Sequence, residues 1–175
     1  GINLYDPMPY SAQHSGIKIS NNTIDGALSS GIWVALDVVD LDISNNSIRN
    51  PGQAPNVNGG YKLGMYIGGS SIRAGRIHDN LVIDTQNPKT TNTGFGLYTT
   101  TIIDSTFFRN QVHSTTDAIL EMVGTSDVNA AWLLDTAFTT WSAPTGYFKA
   151  GSRVLAKDTG VIHIQSSTNS TMSWS

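Results

Sequence analysis

One short motif recurs four times in this chain, and it limits the folds that the sequence can adopt. Each copy has an apolar residue, two further residues, an asparagine, one more residue, and then Ile or Val. The asparagines are Asn22, Asn46, Asn80 and Asn110, at intervals of 24, 34 and 30 residues. A period of this kind indicates stacked structural units that bury their apolar residues against each other.

A second element precedes three of the motif copies. It starts with glycine and continues with alternating apolar residues, at 31–34, 64–67 and 94–97. A short strand with this alternation buries one face only, so the apolar positions of successive copies should stack inside the molecule. The period varies because loops rich in Pro, Gly, Asn and Thr interrupt it at 49–63 and 84–93.

We expect the four asparagines to occupy equivalent corners of successive turns, where Asn tolerates left-handed backbone dihedrals. Identical Asn side chains at strand spacing can hydrogen-bond to one another as a ladder. A leucine-rich repeat has a shorter, leucine-dominated period, and a propeller has several strands per blade, so neither fits. The sequence therefore predicts an all-β chain: a right-handed parallel β-helix of about 4–5 coils over 1–140, followed by a small irregular β cap or oligomerisation segment over 141–175.

The amino-acid composition favours strands over helices, and it argues against nucleic acid as a binding partner and against membrane insertion. Charged residues make up 13% of the chain, and Glu121 is the only glutamate. Surface polarity must therefore come from Ser, Thr, Asn and Gly, which suits strands and turns better than helices. The net charge of −3 and the scattered basic residues argue against nucleic acid as a partner. No apolar run reaches the roughly 18 residues of a membrane-spanning helix, so we expect no membrane insertion.

Metal and cofactor sites are not indicated. Cysteine is absent, and the four histidines lack metal-ligand spacing. Lys18, Asp42, Arg76 and Thr106 are predicted to align across neighbouring turns, and their charges suggest a surface ion-pair ladder, which contributes little to stability. Because the chain begins at Gly1 without Met, we interpret it as a piece of a longer protein.

The segments at 19–24 (ISNNTI) and 43–48 (ISNNSI) resemble the coil signature of the pectin-lyase-like parallel β-helices, and the resemblance covers roughly 16–125. It implies the fold, whereas the function stays open, because that fold carries lyases, hydrolases, epimerases, adhesins and viral spikes. The segment 148–154 (FKAGSRV) resembles one that follows the β-helix in many phage tail proteins, although Ser152 stands where those proteins usually have Asp. This segment is predicted to be either a β cap that seals the last coil or a contact between subunits of a trimer.

Aligning the strands predicts an outward surface. One row is Trp33, Tyr66, Gly96 and Ile119, and the adjacent row is Ala35, Gly68, Tyr98 and Glu121. Trp33, Tyr66 and Tyr98 should therefore share one exposed face with Glu121. Such a face suits the flat, apolar sides of sugar rings, with Glu121 as a polar anchor. The same surface could instead contact another subunit, or the aromatic residues could be exposed without a role.

Catalysis is less well defined by the sequence. Glycoside hydrolysis usually needs two carboxylates, and the candidates near the strand face are Glu121, Asp117 and Asp37. Asp117 precedes its strand and lies at a rim, and Asp37 is three coils from Glu121, which is too far for a direct pair. Glu121 and Asp117 are therefore the catalytic candidates, although the sequence does not define a pair. A lyase would instead combine a base with Arg or Lys, and Arg73 and Arg109 belong to a different face in this alignment. The sequence leaves hydrolysis and elimination both open, and it leaves room for catalytic residues on another part of the protein.

The resemblance and the aromatic row together lead us to expect the distal part of a phage tailspike-like protein. Such a protein would sit on the virion tail as a homotrimer, and it would bind and degrade a bacterial capsule or O-antigen polysaccharide. A secreted bacterial polysaccharide lyase or epimerase is the second expectation, and it predicts a monomer with a calcium site. A structural or adhesive β-helix without catalysis is the third.

Overall fold

The computed structural model describes residues 1–6, 13–54, 62–113, 118–122, 132–138, 153–156 and 159–164. Within these residues the chain forms strands and no helix, so no segment there is a helix long and apolar enough to cross a membrane. The strands are β1 (Ile2–Tyr5), β2 (His14–Ser20), β3 (Thr23–Asp25), β4 (Ile32–Ala35), β5 (Val38–Ser44), β6 (Ser47–Arg49), β7 (Leu63–Arg73), β8 (Arg76–His78), β9 (Leu81–Ile83), β10 (Thr93–Ile103), β11 (Ser105–His113), β12 (Ala118–Met122), β13 (Trp132–Phe138), β14 (Arg153–Ala156) and β15 (Val161–Ile164).

The strands stack in parallel as a β-solenoid of about three turns. The first stack contains β1, β4, the beginnings of β7 and β10, and β12. The second contains β2, β5, β8, β11 and β13, and the third contains β3, β6, β9 and the end of β11. The parallel solenoid predicted from the repeat is therefore confirmed, and β1 extends the first stack to the very start of the chain.

Two consecutive residues have different roles at the corner between the second and third stacks: the first makes the bend, and the second carries the ladder side chain. The residue before each ladder asparagine takes a left-handed φ, between 51° and 60°, at Asn21, Asn45, Asp79 and Arg109. The repeat predicts this conformation for the ladder asparagine itself, and that prediction is wrong by one residue. Because the preceding residue makes the bend, the ladder asparagine can turn its side chain along the stack.

The core consists of rows of equivalent residues from successive turns. In one row Ile43, Ile77 and Phe107 are fully buried, and in another Ile48 and Val82 are fully buried. The alternation predicted for the first stack is present, since its inward positions are buried and belong to one apolar cluster: Ile32, Val34, Met65, Ile67 and Phe95.

The C-terminal strands change direction once. β14 pairs in parallel with β13, and β15 pairs antiparallel with β14. Most of the segment 148–154, which resembles a part of phage tail proteins, lies outside the described residues, and its last two residues, Arg153 and Val154, begin β14. Most of the predicted cap at 141–175 also lies outside the described residues, and these account for about three turns rather than the expected 4–5 coils.

Candidate functional site

Three aromatic rings form a continuous column on the outward side of the first stack. Trp33 and Tyr66 are paired residues of β4 and β7, and their rings stack with centroids 4.0 Å apart and planes 14° apart. Tyr66 and Tyr98 stack at 5.1 Å and 21°. These spacings are close to the separation of about 4.8 Å between strands, so the column runs along the solenoid axis. All three residues are half-buried.

Glycines explain how Tyr98 joins this column, although its backbone lies in the neighbouring row. Tyr98 pairs with Gly68, whereas Gly96 pairs with Tyr66. The Tyr98 ring leans back over Gly96, where an added Cβ would clash with Tyr98 Cε2. The Tyr66 ring leans over Gly68 in the same way, since a Cβ added there would lie 2.6 Å from Tyr66 Cε1. The two outward rows expected from the sequence therefore merge into one aromatic column.

The row assigned to Glu121 was wrong by two residues. Glu121 pairs with Gly96 and Leu120 with Phe95, whereas the sequence alignment put Leu120 opposite Leu97 and Glu121 opposite Tyr98. A shift of two residues leaves every inward position inward, so the apolar pattern alone could not detect it. As a result, Glu121 belongs to the row of paired residues that contains Trp33, Tyr66 and Gly96, and it is the member on β12. Asp117 and the side chain of Glu121 lie outside the described part of the chain.

The stacking of the three rings determines which part of the column a ligand can contact. The stacked faces of the rings contact each other, so a long molecule would lie across the outer edges of the column. Aromatic edges carry partial positive charge and suit hydroxyl oxygens, while the ring carbons offer apolar contact. A chain running along the solenoid axis could touch several rings at once.

A second group of polar residues meets at the corner of the second stack, and we call it the charged cluster: Asp42, His78, Asp79 and Arg109. His78 Nδ1 lies 2.7 Å from Asp79 Oδ2, and His78 Nε2 lies 3.5 Å from Asp42 Oδ1. Arg109 donates from Nε and from one terminal nitrogen to the two oxygens of Asp79, at 2.7 and 2.6 Å. The His78 ring also stacks on Phe108, with centroids 4.6 Å apart.

The electrostatics of this cluster favour ionised Asp79. The two hydrogen bonds from Arg109, together with the bond to His78, lower the pKa of Asp79 below its usual 3.8. Asp42 Oδ1 is the single buried side-chain oxygen or nitrogen in the described residues without a hydrogen bond.

The strand pairing confirms the predicted alignment of Lys18, Asp42, Arg76 and Thr106. The charged cluster forms diagonally to that row, so the sequence pattern did not reveal it. Lys18 does approach Asp42, at 3.7 Å, but Arg76 contacts Asp40 at 3.2 Å instead.

The remaining carboxylates near the first stack have structural partners. The hydroxyl of Ser71 donates to Asp37, and Asp84 holds the backbone of the loop that follows β9. Across the described ranges, no three His, Asp or Glu side chains converge as metal ligands would. The aromatic column is therefore the arrangement with the clearest capacity to bind a ligand.

Comparison of the chain with protein-family models, with curated proteins and with solved structures finds no match. The fold is established as a parallel β-solenoid by its own strand pairing.

Proposed function

We propose that this protein binds a bacterial surface polysaccharide, a capsule or O-antigen, along the aromatic column. In this proposal it is part of a tailspike-like protein on a phage tail, where it acts as a homotrimer and cleaves the glycan that it binds. The observation that carries the proposal is the half-exposed column of Trp33, Tyr66 and Tyr98 parallel to the solenoid axis.

The column suits a polysaccharide for two physical reasons. Its rings repeat at about the strand spacing, so one extended glycan can make the same contact several times. Its rings are also held in place by stacking, worth about 0.5–1.5 kcal/mol per pair, so little side-chain freedom is lost when a ligand binds. Glu121 follows in the same backbone row and is the candidate general acid, with Asp117 as its proposed partner.

A non-catalytic adhesive β-solenoid is the second candidate function. It is favoured by the charged cluster, whose carboxylates are engaged with His78, Arg109 and Lys18 rather than directed at a common point. In that case the protein would bind the same glycans through the same column without cleaving them.

Binding can be tested with a panel of purified capsular and O-antigen polysaccharides, by calorimetry or surface plasmon resonance. Replacing Trp33 and Tyr98 together by Ala should weaken binding at least about tenfold, the loss expected for about 1.4 kcal/mol. Phe108→Ala is the matched control, because it removes a stacked ring from the second stack instead. Far-UV circular dichroism verifies that the variants fold. If the folded double variant binds as tightly as the unchanged protein, the column is not the binding site.

Cleavage is tested separately with a glycan that binds. Glu121→Gln should abolish the release of reducing ends or of unsaturated sugars while retaining most of the affinity, because the aromatic column is unchanged and Gln can still hydrogen-bond as a polar anchor. Binding without any release by the unchanged protein would establish the adhesive function instead. Undiminished turnover by E121Q would exclude Glu121 as the acid. Analytical ultracentrifugation distinguishes the expected trimer from a monomer.

A further inference from the structure

The asparagine ladder has a direction, and its interior members are bonded on both sides. Asn46 Oδ1 accepts from the backbone N–H of Asn22 at 3.1 Å and from its Nδ2 at 2.9 Å. Asn80 and Asn110 accept the same two bonds from the preceding asparagine, at the same distances. Each junction between turns thus uses two donors from one asparagine and one acceptor from the next.

The interior asparagines also bond backward. Nδ2 of Asn46 donates to the carbonyl of Ile19 at 2.9 Å, and Nδ2 of Asn80 donates to Ile43 at 2.9 Å. Both side chains are almost fully buried. Each interior asparagine is therefore tied to the turn before it as well as to the turn after it.

Asn22 is the exception at the N-terminal end of the stack. Its Nδ2 donates to Asn46 and, lacking an earlier carbonyl, to Ser20 of its own turn at 3.1 Å. Its Oδ1 accepts no hydrogen bond from any described residue, and the side chain is half-exposed. The acceptor that every later junction fills is thus left open at this end.

The strands and the core are open at the same end. Within the described ranges β1, β2 and β3 pair on one side only, with β4, β5 and β6. A cavity of about 810 Å³ lies against the end of the core. Its lining is apolar at Ile2, Leu4, Tyr5, Ile17, Ile19 and Leu36, and the polar remainder includes Asp6, His14 and Lys18. Unpaired strand edges next to apolar surface form a template for another strand layer.

We propose that this N-terminal end surface, formed by the outer edges of β1, β2 and β3 and the cavity between them, is a docking surface for one further β-coil with asparagine at its corner. The backbone N–H and Nδ2 of that asparagine would donate to Asn22 Oδ1. The strands of the coil would pair in parallel with β1, β2 and β3, and its apolar side chains would fill the cavity. The proposal is independent of polysaccharide binding.

A second copy of this chain does not meet the same requirement in either end-to-end arrangement. Placed head to tail, it would present its C-terminal strands, and the last of these, β15, pairs antiparallel with β14. It could also be placed with its own N-terminal end against this one. Its Asn22 would face the open acceptor, but the backbone N–H of that residue is already donated to Asn46. Both protons of its Nδ2 are also in use, toward Asn46 and Ser20. A coil that carries an unengaged asparagine supplies the donors that the copy lacks.

The chain itself provides a suitable coil for the test. Gly1, Gly31, Gly64 and Gly94 precede paired residues of the first stack and hold equivalent positions. A copy of residues 64–93 fused in front of Gly1 would therefore continue into Gly1 as the native segment continues into Gly94. The copy carries the equivalent of Asn80 at its corner.

In the fused protein, amide hydrogen exchange in β1, β2 and β3 should slow at least about tenfold, and binding of an apolar dye should fall. The control is the same fusion with Asn80→Leu in the added copy only, which keeps the apolar packing and removes both the side-chain donor and the side-chain acceptor. It should give clearly less protection. Equal protection by the two fusions, or no protection by either, would overturn the proposal. So would sedimentation of the unmodified protein as an end-to-end dimer with these strands already protected.

Discussion

Single asparagines determine much of how the turns of this solenoid are joined. Asn80 is buried, and its side chain meets groups of the turns on both sides: the carbonyl of Ile43, the backbone and side chain of Asn46, and Oδ1 of Asn110. A buried polar group that loses its partner costs more than the bond itself contributes. The ladder therefore ties each turn to a specific register with its neighbours.

Asn80→Ala should lower the free energy of unfolding by about 3 kcal/mol, because it strands a buried carbonyl and two buried donors. Asn22→Ala is the matched control at the open end of the ladder, and it should cost about 1 kcal/mol, since its side chain is half-exposed and has fewer partners. Urea unfolding followed by circular dichroism measures both. Equal costs for the two variants would show that the additional hydrogen bonds of Asn80 contribute nothing beyond those that Asn22 already makes.

The ladder could be predicted from the sequence because it repeats, whereas the charged cluster could not. Asn22, Asn46 and Asn80 stand at the same place in each motif, so aligning the motifs aligns the side chains. His78 and Asp42 do not recur in the other copies of the motif. They meet diagonally across two strands, because Asp42 pairs with Arg76 and His78 pairs with Ser44. A diagonal contact depends on rotamers that the repeat does not specify.

At the level of elements, one carboxylate organises the loop that joins β9 to β10. Asp84 is buried, and it accepts backbone hydrogen bonds from Thr91 and Thr90 at 2.7 Å and from Gln86 at 2.9 Å. Burial alone would raise the pKa of Asp84, but the backbone bonds from Thr91, Gln86 and Thr90 together bring it below its usual 3.8. The loop is therefore held by the ionised form.

Asp84→Asn should lower the free energy of unfolding by about 2 kcal/mol at neutral pH, since it loses charge-assisted bonds. Because the pKa of Asp84 is lower in the folded state, this contribution is full above pH 3.8 and is lost as the pH falls further through the folded value. The difference between the two proteins should therefore shrink below pH 3.8. Urea titrations at several pH values measure it, with Asp25→Asn on an exposed carboxylate as control. A difference that does not change with pH would contradict the assignment.

The register of β12 against β10 could not be predicted from the apolar pattern of the strand. By residue type, Phe95, Leu97, Leu120 and Met122 all suit an inward position, so two alignments that differ by two residues would bury the same number of apolar groups. The alignments of β4, β7 and β10 were fixed by their shared glycine, and β12 has no such glycine. The position of Glu121 relative to the aromatic column could therefore be determined only from the backbone pairing in the structure.

At the scale of the whole molecule, a solenoid is stabilised mainly by contacts between adjacent turns. An interior turn has neighbours above and below, whereas β1, β2 and β3 of the first turn pair on one side only within the described part of the chain. Ile24 and Ile48 occupy the same position in successive turns, and their exposed fractions are 9% and 0%. The two residues therefore form a matched pair for measuring how much stability a side chain loses when its turn lacks one neighbouring turn.

Ile48→Ala should lower the free energy of unfolding by about 4 kcal/mol, and Ile24→Ala by about 2 kcal/mol, because the first turn can relax around the lost side chain. Urea unfolding with linear extrapolation gives both values. An Ile24→Ala cost as large as that of Ile48→Ala would show that the first turn is as well packed as the interior. When residues 64–93 are fused in front of Gly1, Ile24 gains a second neighbouring turn, so its cost should rise toward that of Ile48. The same substitution thus measures the packing of the end before and after it is covered.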